Sequence, residues 1–429
     1  MKNGNSFENV KCKKIFSIMS DKKYERMLFR RRFCKRIIFM LVGFSLSFFG
    51  SIIMFGELKS PRILQLIELS RCPACYGVSV CPEIYSNQIL LESEYSWTRM
   101  FNAKNIYYGF TKSNRKVVLK KLSHSWELKE FDSKLCQTWG LKKNCKPTDL
   151  LAVKGVDEKI KSLVAYNLSV PETKPRKGLV YCPYSYSIHS LLLPVFSAQQ
   201  TDYRSDIINI WTMLSINPEP IIIQAIPKSK GWRVPAFGGV CGRVELVAYE
   251  GEPLSSLMHV AWSRKLKFAA EILSAAMDFT FKHDRFRFYL MDWSIDNIVA
   301  NEIDQVTFID LEDVIVVDKH ISPKKNLPHW YKRYSRQING SGFTFSISDM
   351  CKHHLSDHNL WAACYVLVGD ENPLLYPMPK HVNVTRPDFA ILLDQCLYGS
   401  DRFRTVPKLQ TVVNDMLADE RIVGFGGHR

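Results

Sequence analysis

The sequence has few of the features that would place it outside the folded globular proteins. It contains no internal repeat and no low-complexity segment, which excludes repeat architectures and argues against large-scale disorder. Its 429 residues are 46% hydrophobic and 23% charged, so the chain can bury a sizeable core. Long uncharged runs are also scarce. A single such run is present, which leaves one candidate for a membrane-spanning helix.

That run is IIFMLVGFSLSFFGSIIMFG at residues 37–56, and twenty helical residues span the roughly 30 Å of a bilayer's hydrocarbon. Acidic residues are scarce before it, with three against twelve Lys and Arg, a local charge of +9. Since positive flanks stay cytosolic, residues 1–36 are predicted to form a cytosolic tail and 37–56 an uncleaved signal-anchor, with the rest lumenal. A cleaved signal peptide is the alternative, but its apolar core is usually shorter and no A-x-A-like site follows.

The basic tail also explains most of the net charge of +16, because only +7 remains over the other 393 residues. Nucleic-acid binding is therefore not implied. Basic residues beside a bilayer attract anionic lipid headgroups on the cytosolic leaflet instead.

Cysteines are concentrated on the predicted lumenal side, where ten of the twelve lie. These ten are Cys72, Cys75, Cys81, Cys136, Cys145, Cys182, Cys241, Cys351, Cys364 and Cys396. An oxidising lumen favours up to five disulfides, with the pairing left open. Residues 57–100 read as a Cys-rich membrane-proximal cap, and its C-P-A-C favours a structural disulfide over a redox pair or half a zinc site. Sequons at Asn167, Asn339 and Asn383 predict glycosylation.

Hydrophobic periodicity predicts an α+β chain. NIYYGF and KVVLKKL read as a hairpin that carries Lys120, and a helix with Trp126 near its start follows. IIIQAI and RVELVAY read as strands, and WSRKLKFAAEILSAAMDFTFK as a buried helix. Trp126, Trp139 and Trp211 are expected in the core, and residues 141–206 are expected to be an irregular insertion.

Three polar residues near the middle of the chain have the spacing of a phosphate-transfer site. Asp292 and Asn297 form a D-x4-N pair, and Asp310 follows the apolar run VTFID. In phosphoryl transfer such an aspartate takes the proton of the accepting hydroxyl, while the asparagine and the later aspartate hold metal ions. Lys120 is the candidate phosphate-binding ammonium, with Glu127 preferred over Glu130 as its carboxylate partner.

At this point the chain resembles the protein kinases. VVLK, LMDWSIDN and IDLE stand where VAIK, HRD-x4-N and DFG would, and SDHNLWAACYVL is similar to a C-lobe helix that begins at a buried aspartate, here Asp357. With CPACYG, NPEP and GGVCGR, the chain resembles the divergent protein kinase domain 2 family, within the family with sequence similarity 69. The resemblance implies a two-lobed kinase-like fold and passage through the Golgi and secretory pathway.

Several kinase motifs are missing. No glycine-rich loop precedes Lys120, Leu290-Met291 replaces His-Arg, and Leu311-Glu312 replaces Phe-Gly. Loss of the arginine argues against control by phosphorylation of an activation loop. The simpler interpretations are a solvent-facing Lys120, a first-turn Glu127 favoured by the helix dipole, and turn or capping roles for the three loop residues.

The domain prediction is a kinase-like N-lobe over 101–250, with the insertion at 141–206, and a C-lobe over 251–429. The first functional hypothesis is a secretory-pathway kinase that uses ATP and Mg²⁺ or Mn²⁺. In it Asp292 is the base, Asn297 and Asp310 hold metal, and Lys120 with Glu127 binds phosphate. The second is a pseudokinase that acts as a binding or signalling module in secretion, vesicle traffic or paracrine signalling. A third is a redox or metal protein built on C-P-A-C.

The expected location is the Golgi or endoplasmic reticulum membrane, with release by cleavage left open. The expected partners are the membrane, through residues 37–56, and a lumenal protein substrate or signalling partner.

Overall fold

The computed structural model describes residues 63–92, 105–156, 158, 178–182, 187–198, 202–320, 333–334, 347–351, 353–370 and 372–426. The predicted cytosolic tail and signal-anchor lie outside these ranges, as do Asn167 and Asn339. Within these ranges no helix is both long enough and apolar enough to cross a bilayer. The membrane anchor therefore stays a prediction.

The strands, in chain order, are β1 (Ile89–Leu91), β2 (Ile106–Thr111), β3 (Lys116–Lys121), β4 (Val180–Tyr181), β5 (Phe237–Cys241), β6 (Val244–Ala248), β7 (Glu252–Pro253), β8 (Phe286–Leu290), β9 (Ile298–Ala300), β10 (Val306–Phe308), β11 (Val314–Asp318), β12 (Arg333–Tyr334) and β13 (Leu355–Ser356). The helices are α1 (Ile63–Ile67), α2 (Cys81–Tyr85), α3 (Ser125–Thr138), α4 (Ile188–Ala198), α5 (Tyr203–Ile216), α6 (Glu219–Ala225), α7 (Trp262–Met277), α8 (Ile347–Cys351), α9 (His358–Val368), α10 (Lys380–Thr385), α11 (Pro387–Tyr398) and α12 (Arg402–Gly426). The predicted α+β class is confirmed.

The first lobe is built on a five-stranded antiparallel sheet in the order β1-β2-β3-β6-β5. The predicted hairpin is confirmed as β2 and β3, and RVELVAY contains β6. In β3 the side chains alternate between more and less buried, as expected of a strand with one face on a core. Lys120 lies directly opposite Glu245 of β6 in the register.

The cap packs on one face of this sheet. Leu66, Ile67 and Ile84 of α1 and α2 form a buried cluster with Val117 and Leu246 of the sheet. The guanidinium of buried Arg243 donates to the Ala74 carbonyl at 3.0 Å and pairs with Glu68 at 3.3 Å. The cap is therefore joined to the first lobe by apolar contacts and by ion pairs.

Helices α3 to α6 come between β3 and β5. The prediction that IIIQAI is a strand is wrong, because its first five residues belong to α6 and Ile226 caps the end of that helix. Pro220 in the first turn suits a helix start, and burial of the isoleucines in the main core outweighs their strand preference. The prediction of a buried Trp126 is also wrong, since its exposed fraction is 62%, whereas Trp139 and Trp211 are partly buried.

The chain leaves the first lobe at residues 249–253, which form the hinge to the second lobe. Strand β6 ends at Ala248, and β7 pairs instead with β9 in the sheet β10-β9-β7. Gly251 has φ 123°, and a Cβ there would lie 2.0 Å from the Ala300 carbonyl oxygen. Only glycine fits this close backbone approach.

The second lobe is mainly helical and is built around buried α7 and α9. A second small sheet, β4-β11-β8, includes one strand from the segment before the hinge. Asp357, directly before α9, is fully buried as predicted and pairs with Arg402 of α12 at 2.9 Å. A buried ion pair of this kind joins the two helices.

All ten cysteines beyond the predicted anchor are paired, which confirms the expectation of up to five disulfides. The pairs are Cys72–Cys75, Cys81–Cys241, Cys136–Cys145, Cys182–Cys351 and Cys364–Cys396. The two cysteines of C-P-A-C form a disulfide with each other, and a structural role for this bond, rather than a redox role, stays a prediction. Cys81–Cys241 ties the cap to β5, and Cys182–Cys351 ties the end of β4 to α8.

Candidate functional site

The ammonium of Lys120 is the centre of the site. Its Nζ donates to Glu219 Oε2 at 2.5 Å and also to Asp310 Oδ1. Burial by itself lowers the pKa of Lys120, but the two carboxylates more than offset this and raise the pKa above its ordinary value. Lys120 therefore stays charged and holds a residue of α6 and a residue after β10 together.

The prediction that Glu127 holds Lys120 is wrong, because the ion pairs of Lys120 are with Glu219 and Asp310. Glu127 Oε2 instead accepts from the His124 N–H at 2.9 Å and from the Ser123 hydroxyl, so it caps the start of α3. A carboxylate in the first turn is a common cap, and here the capping role takes it away from Lys120.

Glu219 was missed because its segment reads as a strand. Asn217 Oδ1 accepts from the Glu219 N–H at 2.9 Å and supports the first turn of α6. Asn217 Nδ2 donates in turn to Glu312 Oε2 at 2.6 Å. The signal that could have found Glu219 is NPEP, where proline and an amide precede a carboxylate at a helix start.

Asp310 has φ 62°, in the left-handed region that is unusual for a residue with a side chain. This backbone turn follows β10 and brings the Asp310 carboxylate to Lys120. Glu312 and Asp313 add two further carboxyls at the same turn. Burial, with the charge of Asp310, raises the pKa of Glu312 to about 7 and also raises the pKa of Asp313.

Asp292 and Asn297 are in contact, as their spacing suggested. Asn297 Nδ2 donates to Asp292 Oδ2 at 2.8 Å, while the Ser294 N–H donates to Asp292 Oδ1 at 3.0 Å. The Asn297 carbonyl accepts from the Ile309 N–H at 2.9 Å, one residue before Asp310. The D-x4-N loop and the Asp310 turn are thus joined through the backbone.

Residues of α9 hold the backbone at the start of this loop. His358 Nε2 lies 2.6 Å from the Leu290 carbonyl oxygen, and Asn359 Oδ1 accepts from the Leu290 N–H at 3.2 Å. The Trp293 indole N–H donates to the same carbonyl at 3.1 Å. Three buried side chains therefore hold the backbone that precedes Asp292.

A cavity of about 440 Å³ opens beside Lys120. Among the predicted residues its lining includes Lys120, Glu127 and Asp310, and does not include Asp292 or Asn297. Glu312 and Asp313 add two carboxyls to the lining, and Asn217 adds an amide. The lining combines two lysines, Lys120 and Lys121, with four carboxyls.

Glu245 is a second carboxylate that the sequence reading missed. Its side chain is fully buried, and neither carboxyl oxygen has a hydrogen-bond partner. Cross-strand partners project from the same face of a sheet, so Glu245 shares the face of Lys120. Burial, together with nearby Glu219, raises the pKa of Glu245 well above its ordinary value.

The carboxylate and amide oxygens of the site fit a hard divalent cation such as Mg²⁺ or Mn²⁺. Asn297 directs its Nδ2 to Asp292, which leaves its Oδ1 for a cation, and Asp310 offers a carboxylate. Among the described residues no three His, Cys, Asp or Glu side chains converge as a metal site. This still fits Mg²⁺, because it is usually held by one or two carboxylates together with substrate phosphates rather than by a protein cage.

The chain is similar in sequence to kinase-like proteins. The sequence family described as "Protein-kinase domain of FAM69" matches residues 210–398, a range that contains Glu219, Asp292, Asn297 and Asp310 but not Lys120. Divergent protein kinase domain 2A from Homo sapiens is 27% identical over 399 residues, covering 83% of this chain and 91% of that protein. Divergent protein kinase domain 2B from Mus musculus is 22% identical over 220 residues, covering 48% and 50%. One solved structure that resembles this chain is the Rv3197–erythromycin complex from Mycobacterium tuberculosis. The two are 15% identical, and the match covers 69% of this chain and 67% of that chain. The TM-score of 0.21 is too low to support an argument.

Proposed function

The chain belongs to the divergent protein kinase domain 2 proteins of the FAM69 kinase-like family, and from this premise we propose that it transfers phosphate from ATP to substrates in the secretory pathway. The observation that carries the proposal is the position of the Lys120 ammonium on both Glu219 and Asp310. The Lys–Glu pair and the proposed metal-binding aspartate lie side by side, and these are two of the groups on which phosphoryl transfer depends.

The proposed roles follow from the contacts. Lys120, oriented by Glu219, binds the phosphates of the nucleotide. Asn297 and Asp310 hold Mg²⁺ or Mn²⁺, and the cation, when bound, offsets the charge on the transferred phosphoryl group. Asp292 takes the proton of the acceptor hydroxyl as that oxygen bonds to the γ-phosphorus and ADP leaves.

The direct ion pair between Lys120 and Asp310 favours a second candidate, a pseudokinase that acts as a binding or signalling module. Two carboxylates already satisfy Lys120, so the closed network needs no nucleotide to be stable. For catalysis Asp310 must shift its carboxylate toward a cation. The two candidates therefore differ in whether metal and nucleotide can compete for Asp310.

We further propose the topology of a type II membrane protein of the Golgi or endoplasmic reticulum, with residues 37–56 as signal-anchor and the kinase-like region lumenal. Five disulfides support an oxidising compartment. The basic tail before residue 37 supports the orientation. Glycosylation at Asn383 would agree with it, and that residue lies in α10.

The test is the thermal unfolding midpoint of the full chain, purified in detergent without reductant, with ATP and Mn²⁺ together and with each alone. A ligand at a hundredfold its dissociation constant stabilises the folded state by about 2.7 kcal/mol, enough to shift the midpoint measurably. The expected result is a shift that needs both ATP and Mn²⁺.

Asp310→Asn should abolish this shift, because it removes a carboxylate charge from the proposed metal site. The matched control is Asp394→Asn, the same chemical change at an exposed position of α11, which should keep the shift. No shift in the wild type at millimolar nucleotide would reject the kinase and favour the pseudokinase. Radiolabel transfer from γ-labelled ATP to a secreted protein fraction then separates nucleotide binding from catalysis.

A further inference from the structure

An aromatic groove of about 530 Å³ lies beside the catalytic cavity. Its apolar lining comes from α3, α5 and the residue after α3, and we name it the α3–α5 groove. The lining residues that matter are Trp126, Phe131, Leu135, Trp139, Trp211 and Ile216. Trp126, with an exposed fraction of 62%, stands at the open side, so the groove is accessible from solvent.

The groove adjoins the cavity that contains Lys120. Ser123, Glu127 and Ile216 line both spaces, and the cavity also contains Lys120 and Asp310. An extended chain seated in the groove could therefore place a neighbouring residue at the proposed phosphate-transfer site. This adjacency makes the groove a candidate for holding the molecule that receives phosphate.

The polar groups along the groove are largely engaged with each other. Glu130 pairs with Lys134 at 2.6 Å, and Thr138 Oγ1 donates to the Lys134 carbonyl at 2.8 Å. Glu127 accepts from Ser123 and from the His124 N–H. A sugar would bury hydroxyls against an apolar lining with few groups left to pair with them, which is costly. A bulky apolar side chain has no such cost.

Charge along the path favours a cationic guest. Carboxyls outnumber lysines along the groove and the cavity by five to three: Glu127, Glu130, Asp310, Glu312 and Asp313 against Lys120, Lys121 and Lys134. Lys120 is already paired with two carboxylates. A chain entering this acidic path would be attracted by a lysine or arginine near its acceptor residue.

We propose that the α3–α5 groove binds a segment of a protein substrate that carries a bulky apolar residue and a nearby basic residue. The direction of the segment, toward Lys120 and Asp310, rests on the proposed function. Binding of the segment itself does not need nucleotide. The two ideas can therefore fail separately.

The test uses an arrayed library of fluorescein-labelled 12-residue peptides, each with a central serine and with one flanking position fixed in turn to every amino acid. Fluorescence polarisation with the full chain in detergent measures binding without nucleotide. The expected result is selection of Trp, Phe or Leu at one position and of Lys or Arg at another. Trp126→Ala should weaken binding of the selected peptide by at least about tenfold, since buried tryptophans dominate interface energies.

A matched variant and a nucleotide control keep the test decisive. Tyr398→Ala removes a similarly exposed aromatic from α11 and should leave peptide binding unchanged, and peptide binding to the wild type should be the same with and without ATP and Mn²⁺. Glu130→Lys should weaken selection of the basic residue. Equal binding of all peptides, or binding that Trp126→Ala does not alter, would overturn the proposal. Selection of glycans rather than peptides through Trp126, or loss of a dimer in Trp126→Ala, would overturn it as well.

Discussion

The choice of Glu219 over Glu127 as the partner of Lys120 can be tested by double-mutant cycles. The Glu219 side chain is 4% exposed and that of Lys120 is 14% exposed, so their ion pair is largely screened from water. Removing one partner of a buried pair costs about 3–5 kcal/mol, because it leaves the other charge unpaired. Lys120→Met should approach that cost, since it leaves both Glu219 and Asp310 without their cation.

Glu219→Gln should cost less, because Lys120 keeps Asp310 as a partner. Residues in one ion-pair network typically show coupling energies of about 0.5–3 kcal/mol. The Lys120–Glu219 cycle should lie near the upper end of this range. The Lys120–Glu127 cycle should be additive within about 0.5 kcal/mol, because Glu127 caps α3 instead.

The measurement is chemical unfolding of the four proteins in each cycle, in detergent with the disulfides intact. The four slopes against denaturant must agree before the free energies are compared. A larger coupling for Glu127 than for Glu219 would refute the assignment. A coupling near zero for both would mean that the ion pairs of Lys120 add no net stability.

Two further predictions concern stability. Burial raises the pKa of Glu245. As the pH rises, the folded chain therefore keeps the proton on this carboxyl while the unfolded chain loses it. The contribution of Glu245 to stability falls with rising pH for this reason. Glu245→Met should stabilise the protein by about 1–3 kcal/mol, more at pH 8 than at pH 5, as measured by calorimetry; a larger gain at pH 5 would contradict this. In the chain-entropy account, loss of the Cys182–Cys351 disulfide costs about 5 kcal/mol and loss of Cys136–Cys145 about 2.7. Replacing each pair by serine should therefore lower the unfolding midpoint more for the first pair, and the reverse order would count against the entropic account.

Local pattern was enough for the elements that bear most of the predicted site. The alternation of KVVLKK predicted β3 and hence Lys120, and the spacing of Asp292 and Asn297 predicted their contact, because five residues form a single loop. The prediction of the long apolar helix α7 was also correct, since a helical period over sixteen residues leaves little ambiguity between helix and strand.

Contacts between residues that are far apart in the sequence could not be predicted from local pattern. Glu219 lies 99 residues from Lys120, and its segment is a run of isoleucines whose strand preference is overcome only by burial in the main core. Glu245 became significant only when β6 paired with β3 and brought it opposite Lys120. The exposure of Trp126 likewise depends on where α3 packs, not on its own sequence.

The even number of cysteines beyond the basic tail and the predicted anchor indicated that they would pair, because an oxidising compartment drives thiols to disulfides whatever the fold. Which cysteine meets which was decided by the tertiary structure, across separations as long as 160 and 169 residues. The candidate site was likewise determined partly by the sequence and partly by the tertiary structure. The sequence determined which chemical groups are present and which of them share a loop. Only the packing of α6 and the Asp310 turn against β3 decided which carboxylates reach the lysine, since a contact between distant residues is a property of the folded chain.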